Sequence, residues 1–284
     1  MSRLNLQPAD NAVAFQGELG AFSHAAAEKL LFADVPARPC ASFRDVFEAL
    51  RLDEVSHAVL PIENTLHGSI HENYDYLLEY GFHVVGETNL RISHQLIAMP
   101  GVQFEDVSQV YSHPVALNQC RNFFKQHPSI KATPYYDTAG SVKMLSEERP
   151  PGAAAIASAN AADIYGGVIL KRELEDDVQN YTRFFLLSKQ IDDSEFGRGE
   201  TKTSLVFSTA NKAGALFKAL ACFALRDVSL AKIESRPLKG KPWEYLFYVD
   251  LYGAANDAPV KKALEHLGEL AEFLKILGSY RAIP

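Results

Sequence analysis

From about residue 12 to residue 188, short apolar runs alternate with segments of helical spacing. Ala12–Phe15, Ala58–Leu60, Val107–Tyr111, Ile130–Tyr135 and Ala153–Ala157 have the length and apolar content of strands. Ser23–Phe32, Phe43–Leu52, Ser69–Tyr80, Pro114–Lys125, Ser141–Glu148 and Ala159–Tyr165 read as helices. In the second of these, Phe43, Val46, Phe47 and Leu50 recur at helical spacing. The alternation predicts an α/β fold whose sheets are covered by helices. It breaks at Ile191–Lys202, where dense charge with Gly197 and Gly199 indicates a linker. Beyond the linker the pattern is strand (Thr203–Ser208), helix (Gly214–Leu225), strands (Ser229–Arg236 and Tyr245–Tyr252), helix (Pro259–Leu267) and strand (Glu272–Tyr280). That βαββαβ order is ferredoxin-like and predicts a second, smaller domain.

Several predicted strands run into a helix through glycine or a small polar residue. Gly17 and Gly20 precede Ser23. Pro61 leads through Glu63, Asn64 and Thr65 to Gly68 and Ser69. Ser112-His113 precede Pro114, and Asp137 precedes Thr138, Ala139 and Gly140, while Ser158 opens the last helix of the region. Pro114 suits the first helical position, where no backbone hydrogen bond is lost. Ser69-Ile70-His71-Glu72 has capping-box spacing. Each turn alone is an ordinary helix cap. Together they place helix N-termini at the carboxyl ends of strands, where open α/β sheets bind ligands and free N–H groups suit carboxylates and phosphates. Gly17-Glu18-Leu19-Gly20 lacks the third glycine of the dinucleotide fingerprint, so no nucleotide is indicated.

Asn180-Tyr181-Thr182-Arg183 stands directly before the apolar run Phe184–Leu187. A hydroxyl donor beside a permanent cation at a strand mouth suits an anionic substrate that must lose an oxygen. A strand that merely opens with polar residues would look the same.

Composition narrows the field. With 284 residues, 47% hydrophobic and 22% charged, the chain can build a substantial core. A net charge of −7 without a basic block argues against nucleic acid as a partner. Cys40, Cys120 and Cys222 are few and widely spaced, which indicates neither a disulfide framework nor a zinc site and fits a reducing cytoplasm. No signal peptide and no membrane-length apolar run are evident. The nine histidines show no metal-ligand spacing with acids or cysteines; His67 and His71 are expected on a solvated helix face, and His113 reads as a turn residue. No cofactor or metal is expected.

The segments taken together resemble the prephenate dehydratase family, including its arogenate dehydratase relatives. Gln16 to Ser23 resembles the family's amino-terminal glycine motif. Val59 to Ile70 contains Pro61-Ile62-Glu63-Asn64-Thr65, similar to its Pro-Ile-Glu-Asn-Ser/Thr signature. Asn180 to Phe184 resembles its Thr-Arg-Phe signature, and Ser112-His113-Pro114 with Gln119-Cys120 is a further match. The carboxy-terminal part resembles the ACT regulatory domain, with Gly214-Ala215-Leu216-Phe217 and Ile233-Glu234-Ser235-Arg236-Pro237 as its two effector motifs. Ala213, Ser229 and Ala231 depart from common family residues and bear on the effector.

The resemblance implies a two-lobed, periplasmic-binding-protein-like catalytic domain over 10–190, with lobes 10–95 plus 175–190 and 96–174. A linker at 191–202 and an ACT domain at 203–284 would follow. The implied reaction is the decarboxylative dehydration of prephenate to phenylpyruvate, or of arogenate to phenylalanine. A non-catalytic amino-acid sensor of similar build is the alternative from another class. No chorismate mutase-like segment is expected ahead of the dehydratase part. Thr182 would stand closest to the chemistry, as a hydrogen-bond donor to the departing oxygen, with Glu63 as rival proton source. Arg183 would grip a substrate carboxylate. For Thr182 and Arg183 to share one cleft, the regular strand must begin near Phe184. Asn64, Thr65, Gly68, Ser23, Ser112, Thr138, Asn180 and Phe184 would complete the substrate site. Gly214, Ala215 and Leu216, with Glu234, Ser235, Arg236 and Pro237 across from them, would bind phenylalanine as feedback inhibitor. ACT pairing implies a homodimer or homotetramer.

Overall fold

A computed structural model describes residues 12–31, 35–191, 200–238 and 240–283. The chain opens with β1 (Val13–Gln16), α1 (Phe22–Leu31), β2 (Ala37–Cys40), α2 (Phe43–Arg51), β3 (His57–Asn64), the two-residue β4 (Gly68–Ser69), α3 (His71–Tyr80) and β5 (His83–Arg91). Next come β6 (Gln95–Ala98), β7 (Gln109–Ser112), α4 (Pro114–Gln119), α5 (Arg121–Gln126), β8 (Lys131–Pro134), α6 (Thr138–Glu148), β9 (Ala153–Ala157), α7 (Ala159–Tyr165) and β10 (Val168–Lys171). β11 (Tyr181–Ser188) ends this part. The remainder is β12 (Thr201–Ser208), α8 (Ala215–Ala224), β13 (Leu230–Pro237), β14 (Tyr245–Tyr252), α9 (Ala258–Leu270) and β15 (Phe273–Ile283).

The described residues form two compact units, 12–76 with 88–186 and 77–87 with 187–283. Residues 77–87 thus join the carboxy-terminal unit, unlike the division expected from the sequence. One cause is Glu87, buried on β5, whose carboxylate receives Lys202 Nζ at 2.7 Å and the Tyr280 hydroxyl at 3.2 Å. A buried carboxylate keeps such partners because losing them leaves a desolvated charge.

The larger unit contains two sheets, each with its own helices. The first has the order β2-β1-β3-β11, with β4 paired to β3 and β1 parallel to both neighbours. The second has the order β10-β6-β9-β7-β8. There β7 runs parallel to β8 and β9, while β6 is antiparallel to β9 and β10. The result is two α/β lobes, and the chain crosses between them at 92–94 and 172–180.

The second lobe shows why its centre reads so clearly in sequence. All five residues of β9 are buried, as a central strand covered on both faces requires. Ala153, Ala155 and Ala157 pack with Ala139, Val142 and Leu145 of α6 and with Ala161. Ala154 and Ile156 face the other way, toward Leu96, Val110, Ala116 and Phe123. Alternation along the strand produces the two cores, and small side chains let α6 lie close.

The carboxy-terminal unit carries the expected βαββαβ order, with strand order β13-β14-β12-β15. Leu205, Phe207, Ala219, Phe223, Val249, Leu251, Ala263 and Leu267 form its core beneath α8 and α9. Thr201 and Lys202, read as linker, already belong to β12; 192–199 of that linker lie outside the described residues. No helix among the described residues is long and apolar enough to cross a membrane.

Five strands escaped the sequence pattern: β2, the two-residue β4, β5, β6 and β10. β2 is an edge strand of mixed polarity containing Pro39. β5 carries Gly86, Glu87 and Asn89, residues that weaken a strand reading.

Candidate active site

A cleft of about 320 Å³ is lined by residues of both lobes of the larger unit. The first lobe supplies Phe22 and Ser23 from the start of α1, Pro61 and Asn64 from β3, and Thr182 and Phe184 from β11. His67, Gly68, Ser69 and Ile70 come from the turn and approach to α3. The second lobe supplies His113, Val115, Ala116, Gln119 and Thr138, and the 92–94 crossover adds Ile92 and His94.

No Lys, Arg, Asp or Glu is among these lining residues. Positive potential comes instead from helix starts. Phe22 and Thr138 are the first residues of α1 and α6, and Ile70 directly precedes α3. Such an end carries about half a positive charge; at α6 the Asp137 carboxylate already accepts the Gly140 N–H at 2.7 Å. An uncharged wall with converging helix N-termini can hold carboxylates in poorly solvated surroundings.

Thr182 is fixed by a neighbouring turn. Asn64 Nδ2 donates to Thr182 Oγ1 at 3.0 Å, to Asn180 Oδ1 at 2.8 Å and to Tyr181 O at 3.1 Å. Asn64 Oδ1 accepts from the backbone N–H groups of Leu66 and His67 at 3.0 and 3.1 Å, which sets the amide's orientation. Thr65 clamps the same strand: its N–H donates to Tyr181 O at 2.9 Å and its hydroxyl to Gln179 O at 2.8 Å. Because Thr182 Oγ accepts from Asn64, its own hydrogen is left to donate. Gly68, at φ 76°, lets the turn close with Asn64 and Gly68 paired across β3 and β4.

A polar chain lines the other side. His94 is buried, and its Nε2 lies 2.7 Å from Gln119 Oε1. Gln119 Nε2 reaches His67 Nδ1 at 3.3 Å. Burial lowers the His94 pKa against weaker raising by Gln119 and Glu175, and burial lowers that of His113 against Asp137. Both rings are therefore neutral near pH 7. Glu175, itself paired with Arg91 at 3.0 Å, accepts the His94 backbone N–H at 2.8 Å and holds the crossover in place.

The glycine motif joins the lobes. Glu18 accepts from the Tyr136 hydroxyl at 2.9 Å and pairs with Lys143 at 3.1 Å. Ser158 Oγ, the cap of α7, donates to Gly20 O at 2.6 Å. Gly20 lies at φ 86°, and a Cβ there would meet Ala161 Cα at 2.7 Å. Only Phe22 and Ser23 at the end of this motif reach the cleft.

Several sequence expectations require correction. The strand β11 begins at Tyr181, not near Phe184, so Thr182 and Arg183 face opposite sides. Thr182 and Phe184 line the cleft, whereas the Arg183 guanidinium lies over the Phe185 ring at 4.8 Å. Ser112 is fully buried and donates to Ile156 O at 2.6 Å, so its hydroxyl serves the second lobe's core and not the cleft. Glu63 pairs with Ser69 across β3 and β4; neither it, Thr65 nor buried Asn180 is among the lining residues. The helix expected from Ser69 starts at His71. His67 lies in a turn at the cleft, not on a helix face. His113 is the N-cap of α4, and its participation was missed for want of a sequence signal beyond its place before Pro114.

In the smaller unit, Gly214 caps α8 at φ 76°. Ala215 and Leu216 line a pocket of about 110 Å³ with Thr209, Asn211, Trp243 and Tyr245. Glu234 to Pro237 lie on β13, where Ser235, Arg236 and Pro237 pair with Phe247, Leu246 and Tyr245 of β14. They are not among that pocket's lining residues, although Tyr245 and Phe247 are. Among the described residues no group of three or more His, Cys, Asp or Glu is placed to hold a metal.

Comparison with known families decides what this cleft belongs to. The family model described as prephenate dehydratase matches residues 13–192, more than half of the chain. The chain belongs to the prephenate dehydratase family. It is 46% identical to arogenate dehydratase/prephenate dehydratase 2, chloroplastic, of Arabidopsis thaliana, over 94% of this chain and 72% of that protein. A solved prephenate dehydratase from Arthrobacter aurescens in complex with L-Phe superposes with a TM-score of 0.85 at 31% identity, covering 95% of this chain and 89% of that one. A structure described as GqqA, a novel type of quorum quenching acylase, gives a TM-score of 0.88 at 33% identity, covering 96% and 99%. The family places the chain among the carbon–oxygen lyases that act in phenylalanine biosynthesis. The cytoplasmic location expected from the cysteines does not stand, because this Arabidopsis relative is chloroplastic by name. Reduced cysteines are compatible with more than one compartment and could not have decided it.

Proposed function

We propose that the cleft converts prephenate into phenylpyruvate, carbon dioxide and water, with Thr182 as donor to the departing oxygen. The observation that carries this reading is the Asn64–Thr182 hydrogen bond in a cleft without charged lining residues. Loss of the ring hydroxyl puts negative charge on oxygen, and the departing hydroxide takes up a solvent proton to become water. A donor held in advance stabilises that charge without reorganising during the step, and such a donor contributes about 2.7–4 kcal/mol. The electrons of the breaking bond to the ring carboxylate move into the ring, which becomes aromatic as carbon dioxide leaves. Apolar neighbours such as Phe22, Ile92 and Phe184 favour release of that neutral product over a solvated carboxylate. The second substrate carboxylate would rest against the N–H groups of a helix start.

Arogenate is the second reading, favoured by the double name of the Arabidopsis relative. An acylase activity, as named for one relative in structure, receives less support: Thr182 is held by an amide, not by a base that could make it a nucleophile. The test is to incubate the protein with prephenate and, separately, with arogenate, and to follow phenylpyruvate and phenylalanine. Formation of neither removes the proposal; the ratio of kcat/KM values decides between the two substrates.

The ferredoxin-like domain is read as an ACT domain that binds phenylalanine. Support comes from the pocket beside Ala215 and Leu216 and from the L-Phe complex of the Arthrobacter relative. Phe217 on α8, Leu225 at its C-terminal cap and Ile233 on the edge strand β13 are exposed apolar residues, which suits pairing of two copies.

A further inference from the structure

His113 occupies a position that the proposed dehydration leaves unused. It stands at the second-lobe wall of the cleft, with Thr138 also on that wall, while Thr182 lines the wall of the first lobe. The Val115 N–H donates to its Nδ1 at 3.3 Å. A ring nitrogen that accepts carries no proton, so the neutral ring is protonated on Nε2, at its far edge. Burial favours that neutral form, with Asp137 pulling the other way. The side chain therefore does two things: one edge caps α4, and the other offers an N–H donor.

The substrate assigned to this cleft is anionic, yet the lining contains no lysine or arginine. Its carboxylates must be met by neutral donors. We propose that His113 is a substrate-positioning residue, its Nε2–H holding a carboxylate against the second lobe so that the leaving oxygen faces Thr182. A neutral donor suits this task. It orients the side-chain carboxylate, the one that phenylpyruvate retains.

This inference rests on the dehydratase reading, and one set of measurements separates the two. His113→Asn keeps a good capping acceptor for the Val115 N–H but is too short to reproduce the far N–H. His113→Ala removes both. The expected result is that His113→Asn keeps the wild-type melting temperature, raises KM roughly ten- to a hundredfold and changes kcat by less than about threefold, the scale of one hydrogen bond to a charged group. Nitrogen-15 spectra of the histidine rings give a second readout. The wild-type His113 ring should show its proton on Nε2, and that resonance should shift on adding phenylpyruvate. A capping role alone predicts that His113→Asn retains KM while only His113→Ala suffers, and that phenylpyruvate leaves the resonance unmoved; that outcome overturns the role of His113. A wild-type protein inert toward both prephenate and arogenate overturns the dehydratase reading and this one with it.

Discussion

Thr182 and Arg183 are neighbours in sequence and read as partners, but they end on opposite faces of β11. Strand periodicity separates them once the strand starts at Tyr181. The start is set by long-range pairing: the Thr65 N–H and hydroxyl hold Tyr181 and Gln179, drawing the segment into the sheet before Phe184. No local property of Asn180-Tyr181-Thr182-Arg183 announces this. The role left for Thr182 is testable by Thr182→Val, which keeps shape and removes the hydroxyl. Turnover should fall about 10²–10³-fold with substrate binding retained, as stopped-flow binding and steady-state kinetics would show. A variant that turns over at near wild-type rate removes Thr182 from the chemistry. Ser112 gives the complementary case. Its motif is family-like, yet its hydroxyl is spent on Ile156 O, a bond that only the packed second lobe creates.

At the scale of elements, helices and central strands were legible because burial on a fixed face imposes a period. β9 is the clearest instance: an apolar run buried along its whole length. Edge and polar strands such as β2 and β5 were not legible, since pairing partners define them more than their own side chains do. The turn from Gly17 to Gly20 looked like a ligand loop and proves to be a contact between lobes. Gly20→Ala tests this: it forces an L-residue to φ 86° and drives a methyl group toward Ala161. We expect a loss of about 1–3 kcal/mol in denaturant unfolding, together with a higher KM, because the lobes that carry Thr182 and His113 would no longer meet in the same register. Unchanged stability and KM would mean that the Glu18 and Ser158 contacts are dispensable.

Over the whole molecule, histidine burial sets the response to acid. The pKa of His57 falls from 6.5 to about 4 through burial, and His24, His83, His94 and His113 shift in the same direction for the same cause. Between about pH 6.5 and 4 the unfolded chain binds protons at these sites that the folded chain excludes, so stability falls as pH falls through that window and is indifferent to them above it. Thermal unfolding should show a lower Tm at pH 5 than at pH 7.5, and His57→Gln should flatten part of that slope; an equal slope in the variant would remove His57 as a contributor. Regulation belongs to the same scale. Saturating phenylalanine should raise Tm through the smaller unit and lower the dehydration rate, and can do so only by its differential affinity for two states of the protein. Unaltered Tm and rate would remove the effector role.

By itself the sequence determined the α/β class, the βαββαβ domain, the helix starts around the cleft and the family, since local periodicity, turn chemistry and contiguous motifs carry that information. Tertiary structure alone decided which hydroxyls face the cleft, that its lining holds no charged side chain, and that His67, His94, His113 and Gln119 gather there from separate segments. Side-chain direction depends on strand register and on contacts between segments distant in sequence. Such contacts exist only once the chain has folded.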